Sequence, residues 1–358
     1  MRIVDVRLHE RAYPIFVGAG ARGQLMLLVG KLPGVRQIAL ICDERVAGLH
    51  LDKIRAGLEW PLSVLRVPPG EESKTLAQAG RLYDELARIR FGRKDLVVTF
   101  GGGVTGDLGG FVAATWVRGV RFIQVPTTLE AAIDASIGGK TGVNHAAGKN
   151  LIGAFHQPAA VLIDTEFLET LPQRDYIAGL GESVKHAIIR DPDLLGWHEE
   201  HAREIVERKP DVLELLIARN CEIKADVVAR DEREDDLRMI LNYGHTIGHA
   251  IEHLLGYALR HGECVALGIL AENEIAVRRG LLADEDARRI AALIGTLGLP
   301  TRLPQRLGAE RVEEVCRMDK KARSGAVHYV LVGATGEPVV VHDVTPTELA
   351  AGLEAINP

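Results

Sequence analysis

The stretch "LVVTFGGGVTGDLGGFVAATW" (residues 96–116) reads as a strand, a glycine turn and a helix, in that order. Gly101, Gly103 and Gly106 satisfy G-x-G-x-x-G, a turn that lets backbone N–H groups and a helix N-terminus close on a pyrophosphate. It departs from the usual dinucleotide fingerprint in two ways. It follows a late strand rather than the first, and no acid ends the next strand about 20 residues on. Asp43, closing "IALICD", is the candidate partner for a ribose hydroxyl instead. A variant dinucleotide site is expected, with a ligand-free strand–helix turn as the plain alternative.

Outward from this turn, "RQIALIC", "LSVLRV", "VRFIQVP" and "AVLID" are strand candidates, and "TLAQAGRLYDELARI" carries helical spacing of its apolar residues. This alternation predicts βαβ units and a largely parallel sheet. After "LPQRD" nearly every segment has a 3.6-residue period, apart from a β-like patch at "AVHYVLV". The expected organisation is an α/β Rossmann-like domain over residues 1–172 and an all-α domain over 173–358. Among 358 residues, 47% are hydrophobic, enough for two cores, and a net charge of −6 argues against nucleic acid or an anionic membrane as partner. No apolar run approaches the roughly 20 residues that span a bilayer. The N-terminus alternates like a strand and lacks a signal peptide's apolar centre, and Cys42, Cys221, Cys264 and Cys316 are scattered. A reduced, cytoplasmic enzyme is expected.

The second half holds "LRMILNYGHTIGHAIEHLL". Taken as one helix, it puts Arg238, Asn242, His245 and His249 on one stripe. His245 and His249, four apart, have a spacing that clasps a metal in zincins, but "HTIGH" lacks the glutamate used there as base. Gly244 and Gly248 make sense if something must approach that helix closely. His253 reads as solvated or core-edge, and His261 opens "HGE" downstream. "GESVKH" sets Glu182 and Lys185 one turn apart. A stripe of Leu213, Ile217, Cys221, Lys224 and Val228 aims a lysine where apolar residues belong: it snorkels or meets an anionic ligand. Together these describe a pocket of histidine, lysine, arginine and carboxylate.

"GGGVTGDLGGFVAATWVRGVRFIQVPTTL", "DASIGGKTGVN", "GKNLIGAFHQP", "GLGESVKHAI", "LNYGHTIGHAIE", "HGE" and "DKK" occur in this order. The string, from about residue 38 to 332, resembles the 3-dehydroquinate synthases among the sugar phosphate cyclases. The resemblance implies a Rossmann-like domain followed by a helical one, bound NAD, a divalent metal (zinc or cobalt) and a homodimer. It implies Glu182, His245 and His261 as metal ligands, an open set suited to catalysis. His249 then matches a histidine touching substrate and phosphate rather than metal.

The implied substrate is 3-deoxy-D-arabino-heptulosonate 7-phosphate. Oxidation by NAD, phosphate elimination, re-reduction, ring opening and an intramolecular aldol would give 3-dehydroquinate. By motif match, Lys140, Asn150, Lys185, Lys224, Arg238 and Asn242 hold its carboxylate, hydroxyls and phosphate, with Asp134 nearby and Lys320 or Lys321 adding a cation. Arg118 matches an arginine that reaches the neighbouring subunit's phosphate. The NAD matches are Asp43, Glu71, Lys74, Gly103, Val104, Thr105, Gly106, Asp107, Thr127, Thr128, Lys140 and Lys149, with Phe167, Leu168, Glu169 and Thr170. Glu130, Gly181, Ser183, His186 and a missing proline in "NHAAGKN" depart from the family pattern, altering pocket walls and loop stiffness.

Three competing readings remain. A metal- and NAD-dependent polyol dehydrogenase shares the fold but needs no Lys140/Lys224/Arg238 cage. A related cyclase would act on sedoheptulose 7-phosphate or glucose 6-phosphate. A structural zinc would want four protein ligands, usually with cysteine, and no cysteine matches a ligand position.

Overall fold

The computed structural model describes residues 1–234, 236–318 and 327–358. Lys320 and Lys321 lie outside the described residues. The chain divides into two compact units, Met1–Pro172 with Leu213–Glu232, and Gln173–Val212 with Arg233–Pro358.

In the first unit the elements run β1 (Arg2–Val6), β2 (Tyr13–Val17), α1 (Gln24–Lys31), β3 (Ile38–Asp43), α2 (Glu44–Arg55), β4 (Leu62–Val67), α3 (Leu76–Arg88), β5 (Leu96–Gly101), α4 (Gly103–Thr115) and β6 (Arg121–Pro126). A hairpin of β7 (Lys140–His145) and β8 (Gly148–Phe155) follows, then β9 (Ala160–Ile163). The main sheet has the order β1-β2-β9-β6-β5-β3-β4, and only the β1–β2 pair is antiparallel. β5 and β9 are buried along their whole length, as continuous apolar strands covered on both faces must be. Helix starts are set locally: Asp43 Oδ1 accepts from the N–H groups of Arg45 and Val46, and Thr75 Oγ1 from that of Gln78.

From β3 the chain steps out to β4 and then returns across β3 to β5. The strand order therefore reverses between β3 and β5, the place where open α/β sheets bind ligands at their carboxyl ends. Cys42 pairs with Phe100 there, so Asp43 and Gly101 emerge side by side. That register explains how an acid from an earlier strand can serve a turn on a later one.

The second unit contains α5 (Gln173–Arg190), α6 (Pro192–Val206) and the first residues of α7 (Pro210–Arg230). It continues with α8 (His245–Leu254), α9 (His261–Arg278), α10 (Asp284–Thr296), α11 (Ala309–Met318), a β10 (Tyr329–Val332) and β11 (Pro338–Val341) hairpin, and α12 (Pro346–Ile356). Ile247, Ile251, Leu267, Ile275, Val312 and Leu353 form its core. The helical expectation for this half holds, with the hairpin at the anticipated β-like patch.

Two expectations need correction. The cut at residue 172 is not clean, because Leu213–Glu232 belongs to the first unit. Its polar contacts show why: Glu214 meets the Met1 amino group at 3.1 Å, Lys224 reaches the Asp134 carbonyl at 2.6 Å, and Glu232 meets Arg11 at 2.6 Å. The histidine segment is also not one helix. Residues Leu237–Asn242 form a 3-10 turn, the chain breaks at Gly244 with φ of 75°, and α8 starts at His245. Arg238 and Asn242 therefore share no helical stripe with the histidines.

No helix among the described residues is long and apolar enough to cross a membrane. All four cysteines are buried and none forms a disulfide.

Candidate metal centre and cofactor site

Three residues of the second unit converge because the helices carrying them touch through glycine. A Cβ on Gly262 would lie 1.8 Å from the Ala178 carbonyl oxygen, and one on Gly181 would lie 2.4 Å from that of Gly262. One on Gly268 would lie 1.9 Å from the Gly244 oxygen. Backbone thus meets backbone where α9 crosses α5 and α8. Each of these helices carries a candidate ligand next to a contact glycine: Glu182 after Gly181, His245 after Gly244, His261 before Gly262. What approaches Gly244 and Gly248 closely is α9, not a ligand.

Glu182 Oε1 lies 3.3 Å from the Nε2 atoms of both His245 and His261. It is buried and accepts no hydrogen bond of good geometry, while Oε2 pairs with the Lys185 ammonium. His245 Nδ1 faces the Tyr243 carbonyl at 3.0 Å. A carbonyl only accepts, so Nδ1 carries the hydrogen and Nε2 presents a lone pair. His261 Nδ1 points to Glu252 at 3.9 Å, a partner not anticipated from sequence although it adjoins His253. Burial pushes His245 down to about 3, which keeps it neutral. Burial would raise the Glu182 carboxyl, but the adjacent Lys185 ammonium outweighs it and holds it well below the usual carboxylate range. An anionic oxygen and two imidazole nitrogens aimed at one another form a donor set that a divalent cation fits.

A second trio overlaps the first: ligand nitrogens of His245, His249 and His261 lie within 4.8 Å of one another. His253 is exposed beside Tyr257. Arg238 is fully buried, and Asn242 Nδ2 donates to Glu234 at 3.4 Å.

In the first unit, the amide hydrogens at the start of α4, from Gly103, Val104 and Thr105, precede the first intrahelical bond, that of Gly106 N–H to the Gly102 carbonyl. Gly106 is required for packing, since a Cβ there would lie 2.6 Å from Gln124 Oε1 of β6. Lys74 Nζ donates to Asp107 at 2.7 Å, so an ion pair braces that helix start. Burial opposes the charge on Lys74, yet Asp107 and Glu71 outweigh it and hold the ammonium above its ordinary value. Thr127 N–H donates to the Gly101 carbonyl, and Thr128 Oγ1 caps the following turn at Ala131. Phe167 and Leu168 are buried, Phe167 against Phe100 and His50, so any ligand contact from them is through backbone. Glu169 and Thr170 are exposed, and Thr170 Oγ1 bonds His50 Nε2 at 2.7 Å.

Asn144, missed from sequence, links two expected residues: Nδ2 donates to Glu71 at 2.7 Å and Oδ1 accepts from Asn150 N–H at 2.9 Å. It lies on the β7–β8 hairpin, which the strand candidates read from sequence did not include. Lys140 opens β7, exposed, and Lys149 and Asn150 lie at the start of β8. The buried Lys224 ammonium bonds the Asp134 carboxylate at 2.5 Å. Arg118 is exposed past the end of α4, with φ of 69°.

Sequence models of 3-dehydroquinate synthase match the chain, the N-terminal one over residues 64–178 and the C-terminal one over 179–322. The 3-dehydroquinate synthase of Symbiobacterium thermophilum is 47% identical over 357 residues, covering 98% of this chain and 100% of that one. The chain belongs to the 3-dehydroquinate synthase family. Among solved structures, a 2-deoxy-scyllo-inosose synthase complexed with carbaglucose-6-phosphate, NAD+ and Co2+ superposes with a TM-score of 0.91 at 27% identity, over 98% of this chain and 99% of that one. The 2-epi-5-epi-valiolone synthase of Streptomyces hygroscopicus, with NAD+ and Zn2+ bound, gives 0.89 at 27% identity over 99% of both chains. The 3-dehydroquinate synthase-like fold expected from the motif string is the fold of this chain.

Proposed function

We propose that this chain converts 3-deoxy-D-arabino-heptulosonate 7-phosphate to 3-dehydroquinate and phosphate, the phosphate-eliminating cyclisation that leads toward aromatic amino acids. The full-length match to 3-dehydroquinate synthases carries this reading. We assign Glu182, His245 and His261 as ligands of a zinc or cobalt ion, since Glu182 Oε1 stands 3.3 Å from both imidazole nitrogens. When bound, NAD supplies a hydride acceptor that later returns what it took, and the metal acidifies hydroxyls that touch it.

The chain's own residues do the rest. The first amides of α4 hold the pyrophosphate, Asp43 the ribose, and Glu71, Lys149, Thr127, Thr128 and the run from Phe167 to Thr170 the remaining cofactor surface. Lys140, Lys185, Lys224 and Arg238, with Asn150, Asn242, His249 and Asp134, hold the carboxylate, hydroxyls and phosphate. Glu182 and Asp134 neutralise the buried Lys185 and Lys224, so each cation is fixed in direction before a substrate arrives. Guided by those cations, the departing phosphate takes the proton from the carbon beside the transient ketone.

We assign the protein to a homodimer and to the cytoplasm, where buried thiols remain outside disulfides. Arg118 and the glycine turn sit at opposite ends of the 13-residue α4. At 1.5 Å per residue that is roughly 20 Å, which favours service to a neighbouring subunit over its own. Mixing Arg118→Ala with Lys185→Ala protein should then restore activity that neither has alone. Absence of any restoration after subunit exchange would argue that Arg118 acts elsewhere.

The activity test is turnover with NAD, zinc and the heptulosonate phosphate. Phosphate should appear catalytically with no net NADH. One NADH per turnover would make the chain a dehydrogenase instead.

A further inference from the structure

The proposal concerns a fully buried carboxylate that the mechanism above does not use. Glu272, on α9, has no exposed surface, and its Oε2 accepts the Gly244 N–H at 2.6 Å. Gly244 is the residue before α8 and offers no side chain to cap it. Glu272 therefore caps α8 from another helix, placing its charge at the positive end of the helix dipole. The same peptide group has a second role. Its carbonyl, from Tyr243, accepts the Nδ1 hydrogen of His245 at 3.0 Å.

We propose that Glu272 is a positioning residue for the metal centre, acting through the Tyr243–Gly244 peptide to orient His245 and strengthen it as a ligand. A carboxylate on the N–H side of an amide polarises its C=O, which becomes a stronger acceptor. A stronger acceptor on Nδ1 fixes the tautomer and raises the donor strength of Nε2, as a directly bonded carboxylate does for many metal-binding histidines. Here one peptide plane is interposed. The break at Gly244 is what turns that plane so that its two ends face Glu272 and His245. The inference rests on His245 being a ligand.

The test uses full-length protein stripped of metal, titrated with Zn2+ against a chromophoric chelator and with Co2+ by visible absorption. Glu272→Gln keeps an acceptor of the same reach but loses the charge. It should weaken Zn2+ binding roughly 10- to 100-fold and alter the Co2+ spectrum, with the far-ultraviolet circular dichroism unchanged. Wild-type Zn2+ affinity in this variant overturns the proposal. Asn273→Ala is the matched control: Asn273 is buried one residue away and accepts from the Tyr243 hydroxyl, with no bond to the peptide. Equal weakening there would assign the effect to packing and also overturn it. If Glu272→Gln does not fold, Glu272→Asp replaces it, drawing the carboxylate back from Gly244 with the same expected loss. His245→Ala separates the two readings. Full Zn2+ affinity in that variant would remove the ligand assignment itself, whereas loss there with none in Glu272→Gln would remove only the relay.

Discussion

Glu182→Ala is expected to bind no metal and to lose detectable turnover, while His249→Ala keeps its metal and loses turnover alone. The first residue does two things at once. Oε1 faces the Nε2 atoms of both His245 and His261, and Oε2 neutralises the buried Lys185. Removing it deletes a ligand and breaks the buried ion pair of an ammonium with 1% exposure. Breaking a buried pair costs about 3–5 kcal/mol, so a lower melting temperature should accompany the lost metal. Metal content by elemental analysis and phosphate release resolve the pair of variants. The reverse pattern, with metal kept in Glu182→Ala and lost in His249→Ala, would hand the site to the three-histidine trio.

Gly262→Ala should be nearly as damaging without touching any donor atom. The added methyl would sit 1.8 Å from the Ala178 oxygen and 2.7 Å from its carbon, so α5 or α9 must retreat. Overpacking of this kind costs about 1–3 kcal/mol or more, and the retreat separates Glu182 from His261. Thermal melting and metal titration should therefore both shift. Gly48→Ala provides the contrast: it lies on an exposed face of α2 with nothing within 4 Å of the new atom. There the helix should gain up to about 1 kcal/mol. Comparable metal affinity in Gly262→Ala and wild type would mean that the helix contact does not set the ligand geometry.

Local chemistry was readable in advance and long-range placement was not. The strands Ile38–Asp43, Leu96–Gly101 and Arg121–Pro126 announce themselves by apolar runs ended by turn residues, and α3 by its period. Without the family resemblance Glu182 reads only as one member of an acid–base pair with Lys185, because nothing near it in sequence predicts that α9 will carry His261 to its other oxygen. The histidine segment looked continuous because glycine lowers helix propensity without forbidding it. A side chain at Gly244 would collide with Val265 and Ile269, residues more than 20 positions later, so the need for glycine at that break is set by long-range packing. Lys224 was recognisable as an oddity on an apolar stripe, yet its partner Asp134 lies 90 residues earlier.

The return of Leu213–Glu232 to the first unit bears on biosynthesis. A nascent chain that has just released residue 172 from the ribosome still lacks the segment that pairs with Asp134, Arg11 and the N-terminus. The first unit must therefore wait, with those contacts unmade, through the synthesis of another 60 residues (172 to 232). During that interval the surface around Asp134, Arg11 and the N-terminus that awaits the segment is where chaperones would engage.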